Sequence, residues 1–369
     1  MLRTLLLITT ESANAAREQV SHGLSPRKDY LELASRLDAD LLDLSVVRSH
    51  TLAGILDRKI RRGMGLAWLA SRAAEHYDVI FSDGEHIGLV LGILLARRQH
   101  RCRHVMIAHS ISASKKRLLA AWARGGIDAV IVHSSTQLSF AINDLGFGAD
   151  QVYLFPYQVD TEFWRPGPSH EELMIFSCGL ECRDYPTLIE AVRGLPVGTT
   201  VGAMSHWSRH ANRLQGSGLP PNVTVGQFNY IELKDLYSRA RFVVVPLVDV
   251  NYHAGITTIL EAMAMGKAVI VTRARGQQDT IIGPLWQSGQ DSWPSNGPPP
   301  EASTGIYVPP GDVAALRSAI IFLLGRADLA SVLGRNARQF VERHTTLEQF
   351  VQRLSSVISP AQLTWNRMQ

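Results

Sequence analysis

The chain predicts an α/β protein made of two successive doubly wound parallel sheets, and three observations carry that expectation. Its 369 residues exceed one ordinary core and suit two domains. Short β-branched runs alternate with helix-period segments almost throughout, the pattern of parallel strands covered by helices. The alternation also restarts after a connection, "PYQVDTEFWRPG", so that one sheet is followed by another. Strand candidates in the first half are "TLLLIT", "LLDLSVV", "DVIFS", "HVMIA", "AVIVH" and "VYLF"; those of the second are "LMIFSCG", "TTVGAM", "VTVG", "FVVVP" and "AVIVT". Ligands of such sheets sit beyond the carboxyl ends of the strands, so the strand ends of the two domains are expected to face a cleft.

Composition agrees with a folded globular chain: 46% of residues are apolar and 19% charged, with a mean hydropathy of +0.01. The N-terminal "MLRTLLLITTESANAAREQ" reads as a first strand, because no small-residue cleavage site follows its apolar run. The most apolar later stretch, "IGLVLGILLA" from Ile87, is too short to cross a bilayer. Cys102, Cys178 and Cys182 make an odd count that suits a reducing compartment, hence a cytoplasmic expectation. Cys178 and Cys182 have no His or Cys cluster beside them, so no metal site is expected.

The net charge of +4 is unevenly spread: residues 48 to 124 hold fourteen Lys or Arg against five Asp or Glu. Arg58, Lys59, Arg61 and Arg62 precede an apolar stripe at Leu66 and Leu69, and "ARRQHRCRH" and "SKKR" follow. These runs read either as solvated helix ends or as a surface for an anionic partner. Residues 58–62 and 97–117 would suit peripheral contact with an anionic membrane face, whereas Lys115, Lys116 and Arg117, soon after His109, would suit an anionic soluble acceptor. Nucleic acid is not expected, since the basic runs lack interleaved aromatics and a DNA-reading motif. No G-x-G-x-x-G follows the first strand, which argues against a nicotinamide or flavin enzyme. Asp38 and Asp40 sit where a helix hands over to the second strand, a place for capping.

Glu261 stands alone as a carboxylate in an apolar helical segment, "HAGITTILEAMAMGKAVIVT", either as an acid favouring the helix dipole or as a ligand group. The wider stretch "PLVDVNYHAGITTILEAMAMGKAVIVT", with "RGQQDTI" and "TGIYVPPGD", resembles the carboxyl-terminal half of the family 4 glycosyltransferases of group 1 type. "SCGLECRDYPTLIEA" is similar to that family's diphosphate loop, "PYQVDTEFWRP" to its interdomain linker and "ARFVVVPL" to the strand before its donor site. The resemblance implies the GT-B architecture: two Rossmann-like domains, residues 1–160 on the acceptor side and 161–345 binding the nucleotide sugar, with residues 346–369 crossing back to the first. It implies a retaining sugar transferase whose donor is a nucleoside diphosphate sugar, with no cofactor or metal. Polysaccharide or glycolipid synthesis is the expected setting, with a lipid-linked or anionic acceptor.

By the same resemblance, amides at Gly255, Ile256, Thr257 and Thr258 receive the diphosphate, Arg183 adds a cation where the family has Lys, and Glu261 bonds the ribose hydroxyls. Gly179 and Gly226, at strand ends, border the donor, and His109 lies near the transferred sugar. The chain also departs from the family. His253 stands eight residues before Glu261 where the family has Glu, so either His253 or Asp249 holds the donor sugar, or recognition differs. Leu180 follows Gly179 where Arg is common, and the family's paired N-terminal glycines are replaced by Ser25-Pro26 or shifted to Gly23. Residues 284–303 form a Pro-, Gly- and Ser-rich insertion that reads as a flexible or inert loop. Two alternatives stay open: a catalytically silent member binding nucleotide or a protein partner, and a sugar-nucleotide epimerase of similar architecture.

Overall fold

The computed structural model describes residues 2–60, 63–97, 102–112, 116–168, 170–202 and 218–359. The chain divides into two compact units, the first formed by Met1–Gly23, Arg27–Pro156 and Glu348–Gln369, the second by Leu24–Pro26 and Tyr157–Leu347.

Unit 1 begins with β1 (Thr4–Leu7), α1 (Ala13–Ser21), α2 (Asp29–Leu37), β2 (Asp40–Leu42), α3 (Leu44–Ser49), α4 (Thr51–Lys59) and α5 (Met64–Ala73). It continues with β3 (Val79–Asp83), α6 (Glu85–Leu95), β4 (Arg103–Ile107), α7 (Arg117–Ala123), β5 (Ala129–Val132), α8 (Ser135–Asn143) and β6 (Val152–Leu154). The six strands are parallel in the order β2-β1-β3-β4-β5-β6. All four residues of β1 and of β5 are buried, because parallel strands are covered on both faces. The expected strand "LLDLSVV" is only half a strand. Asp43 accepts from the Ser45 and Val46 amides and caps α3, so the β-branched pair Val46-Val47 lies in a helix. Asp38 takes a left-handed turn at the end of α2, and Asp40 accepts from the Tyr77 hydroxyl at the amino end of β2.

Unit 2 runs β7 (Met174–Cys178), α9 (Tyr185–Val192), β8 (Gly198–Gly202), β9 (Val223–Gly226), α10 (Tyr230–Arg239), β10 (Phe242–Val245) and α11 (Ile256–Ala264). Then come β11 (Val269–Thr272), β12 (Gly305–Val308), α12 (Val313–Leu324) and α13 (Ala327–His344). Its parallel order β12-β11-β10-β7-β8-β9 reverses direction between β7 and β10. Alternate residues of one strand enter opposite cores: Phe176, Val243 and Val245 pack with Tyr237, Ile259 and Ala337, while Ile175, Phe242 and Val244 pack with Leu188, Leu316 and Leu333. After α13 the chain forms α14 (Leu347–Ile358), most of which groups with unit 1. Its Phe350 is fully buried, 5.9 Å from the His133 ring.

The segment 284–303 is not a loose loop. Trp286 is fully buried against Phe322, and its indole N–H donates to Ser318 Oγ at 2.9 Å. Trp293 packs against the same core and donates to the Pro298 carbonyl. Of the segment 346–369 expected to cross back to the first domain, residues 360–369 with Trp365 lie outside the described residues, as do Arg61, Arg62, Arg98, Arg101 and Lys115.

Candidate functional site

Strand order places the site of unit 2. Where a doubly wound sheet reverses direction, the loops leaving two neighbouring strands diverge and open a crevice at their carboxyl ends. In unit 2 those strands are β7 and β10. The loop after β7 carries Gly179 and Arg183, the loop after β10 leads to Gly255 and α11, and Arg183 pairs with Leu247 in a single antiparallel bridge.

Two glycines let these loops close up. Gly179 has φ +95°, and a Cβ there would fall 2.4 Å from Arg183 Nη2. Gly255 caps α11 with φ +77°, where a Cβ would meet Leu247 and Val245 at 3.0 Å and Arg183 Nη1 at 3.3 Å. The Arg183 guanidinium therefore lies between them. It donates from Nε to the Cys178 carbonyl, from Nη1 to the Glu181 carbonyl and from Nη2 to Thr258 Oγ1, each at 2.9 Å. The N-cap of α11 is Gly255, which has no side chain to cap the first turn. The amides of Ile256, Thr257 and Thr258 thus belong to the helix end that has no intrahelical acceptor, where a partial positive charge gathers. Glu261, further along α11, accepts from Tyr237 Oη at 3.0 Å. Arg183, Gly179, Gly255, Thr258 and Glu261 are brought together. Gly226 is not part of that group: it ends β9, two strands from β7, against Phe228.

His253 is buried, with Nε2 2.9 Å from Gln277 Oε1 and 2.7 Å from Thr280 Oγ1. Burial lowers its pKa to about 4, so the ring is neutral. Asp249 is held by Arg275, from Nε to Oδ2 at 3.0 Å and from the backbone N–H to Oδ1 at 2.9 Å. Both candidates for the missing Glu have protein partners. The two cysteines of the C-x3-C serve separate networks: Cys178 meets Tyr237, and Cys182 meets Tyr252. Among the described residues no group of three or more His, Cys, Asp or Glu converges as a metal site.

In unit 1, His109 follows β4 and is partly exposed. Its Nε2 lies 3.1 Å from Asp83 Oδ1, and its backbone N–H donates to Glu85 Oε2 at 2.9 Å. Burial opposes the ring's charge, but the hydrogen bond to Asp83 and the charges of Asp83, Glu85 and Asp29 outweigh it and raise the pKa to about 9. Glu85 is itself buried, and despite that burial the Lys116 ammonium and His109 hold its carboxyl well below the usual range. Lys116 is thus committed to Glu85, and Arg117 pairs with Asp144 and covers the Phe140 ring. The two described cations of the "SKKR" run are engaged within unit 1, which weakens their assignment to an anionic acceptor. Sequence spacing missed Asp83, Glu85 and Lys116 as supports of His109; the signal available was two acids at the end of β3.

Residues 185–326 match the family model described as Glycosyl transferases group 1. No curated protein matches the chain. Among solved structures, the chain resembles a sucrose-phosphate synthase from Thermosynechococcus elongatus at a TM-score of 0.69 and 19% identity, over 99% of this chain and 100% of that one. It resembles HepE of Anabaena, solved with UDP-glucose, at 0.67 and 16%, over 98% of this chain and 100% of that one. It also resembles WaaG, a glycosyltransferase involved in lipopolysaccharide biosynthesis, at 0.59 and 14%, over 96% and 99%. The two parallel six-stranded sheets and these likenesses give the chain the GT-B fold, and its residues 185–326 match the model of the group 1 glycosyl transferases.

Proposed function

We propose that the chain moves a sugar from a nucleoside diphosphate sugar, bound by unit 2, to an acceptor hydroxyl bound by unit 1, with retention of anomeric configuration. The observation that carries this reading is the Arg183 guanidinium lodged between Gly179 and the open first turn of α11, with Glu261 on the same helix. A departing diphosphate gains negative charge, and preorganised donors aimed at it stabilise the transition state more than the ground state. Arg183 and the amides of Ile256 to Thr258 are such donors, and they supply the neutralisation without a metal. Glu261 accepts from the ribose hydroxyls. Retention follows if the departing phosphate, on the same face as the acceptor, takes the acceptor's proton. His109, kept charged by Asp83, donates a hydrogen bond to the sugar rather than acting as a base. Uridine diphosphate glucose is the first donor to try, since HepE was solved with it.

Donor hydrolysis without acceptor tests the proposal, after a thermal-shift screen of UDP, GDP, ADP, TDP and their sugars. A transferase slowly hydrolyses its donor, a silent binder leaves it intact and an epimerase inverts a sugar carbon without releasing nucleotide. Arg183→Ala should lower turnover roughly 10²- to 10³-fold, as loss of one preorganised charge partner does. An unchanged rate in the folded variant would remove Arg183 from the role.

A further inference from the structure

Beneath the unit 2 site, hydrogen bonds to the carbonyl and from the thiol of one residue, Cys178, lead from the site's cation to its carboxylate. Arg183 Nη2 donates to Thr258 Oγ1 at 2.9 Å. Thr258 Oγ1 lies 3.5 Å from the Cys178 carbonyl, to which its proton can point. Cys178 Sγ is 3.1 Å from Tyr237 Oη, and Tyr237 Oη is 3.0 Å from Glu261 Oε2. A tyrosine hydroxyl carries one proton, and the carboxylate is its strongest acceptor, so the thiol donates to Tyr237 and Tyr237 donates to Glu261. Burial raises the pKa of both Tyr237 and Cys178, which keeps both groups protonated as donors. Tyr237 is fully buried. Its ring is wedged edge-on against Phe176 at 4.9 Å and Trp164 at 5.5 Å, so the hydroxyl cannot swing away.

We infer that Tyr237 is a positioning residue for nucleotide binding: it fixes the Glu261 carboxylate for the ribose and ties it, through Cys178 and Thr258, to the Arg183 that meets the diphosphate. The inference rests on the roles proposed above for Glu261 and Arg183. Its consequence is that ribose recognition depends on a hydroxyl that never touches the nucleotide. A ring that merely filled the core would not transmit such dependence, since Tyr237→Phe keeps the ring and removes only the oxygen.

The test is a titration of the full chain with UDP and with 2′,3′-dideoxy-UDP, in wild type and Tyr237→Phe. Wild type should prefer UDP. The variant should lose UDP affinity by about 10- to 100-fold, in the range of a lost hydrogen bond to a charged group, yet bind the dideoxy nucleotide nearly as wild type does. In turnover, KM for the donor should rise more than kcat falls. Cys178→Ala, which removes the bond into Tyr237 Oη, should give a smaller loss of the same ribose-dependent kind, and it carries the test if Tyr237→Phe does not fold. Equal loss for both nucleotides, or full retention of ribose preference in both variants, overturns the inference while leaving the Glu261 role intact. If wild type does not distinguish the two nucleotides, the Glu261 role fails and the inference fails with it.

Discussion

His253, which motif spacing offers beside Asp249 as a replacement for the family's Glu, is held from inside the protein. The Thr280 hydroxyl donates to Gln277 Oε1, and the Gln277 amide donates to the Ala254 carbonyl at 2.9 Å, so the proton facing them must sit on His253 Nε2. The ring is a neutral donor that braces the turn before α11. His104 is buried in the same way, between Ser82 Oγ and the Gly126 carbonyl, and burial lowers its pKa to about 4 as well. Unfolded, both rings return to about 6.5, so between pH 4 and 6.5 the unfolded chain binds more protons and stability falls as pH falls. Asp29 opposes this: burial and then Asp83 raise it to about 6, so between about 3.8 and 6 the folded chain holds its proton more tightly. Two histidines outweigh one carboxyl. Chemical denaturation across pH 4 to 6.5 should show this loss. His253→Asn should flatten the slope by about 1.4 kcal/mol per pH unit; an unaltered slope would mean that the ring is charged in the folded state. Arg183, Gly255 and Glu261 were legible in the sequence because their spacing repeats a known pattern. Tyr237 was not, because its only visible property is to be an apolar-stripe position on α10, and its hydroxyl's partner lies on another helix.

Among elements, α7 and α4 leave apolar side chains unburied that the core could have used. On α7, Leu118 and Trp122, one helical turn apart, are 73% and 68% exposed; on and just after α4, Leu52 and Ile60 are 57% and 64% exposed. Arg58 and Lys59 stand beside the second pair. An exposed indole and leucine, with Arg58 and Lys59 as the cations beside the second pair, suit the interfacial region of an anionic bilayer, which is the membrane contact proposed for this basic half. Among the described residues no helix is long and apolar enough to cross a membrane. Anionic vesicles should therefore retain the chain at low salt and release it at high salt. Leu118→Ser with Trp122→Ser should weaken retention at least about tenfold, given roughly 1.5–3 kcal/mol for each large apolar side chain buried, and should spare donor hydrolysis. Indifference to anionic vesicles at low salt would end the membrane reading and leave a soluble acceptor. The insertion 284–303 shows the opposite error of composition: Pro, Gly and Ser predict a loop, but Trp286 and Trp293 pin it to the α12 core.

For the whole chain, the return of α14 to unit 1 means that unit 1 is completed by the last described segment of the sequence. Phe350 beside His133, together with Leu354 and Ile358, is buried, and Glu348 pairs with Arg27. Phe350→Ala should cost unit 1 about 3–5 kcal/mol, as truncation of a buried phenylalanine does. A calorimetric scan should then show the transition of unit 1 lowered and that of unit 2 unmoved. A single transition lowered as a whole would show instead that the units unfold together. By itself the sequence determined what repeats locally: the alternation that yields two parallel sheets, the turn glycines, and the spacing that places Arg183, Gly255 and Glu261 at strand ends and on one helix. Only the tertiary structure decided that Val46-Val47 joins a helix, that Asp249 and His253 are already held by Arg275, Gln277 and Thr280, that Trp286 is core, and that Tyr237 binds Glu261. Each of these depends on which distant segment comes to lie alongside. Pattern and propensity act over a few residues, whereas a hydrogen bond or a buried ring is settled by the neighbour that folding brings within a few ångströms.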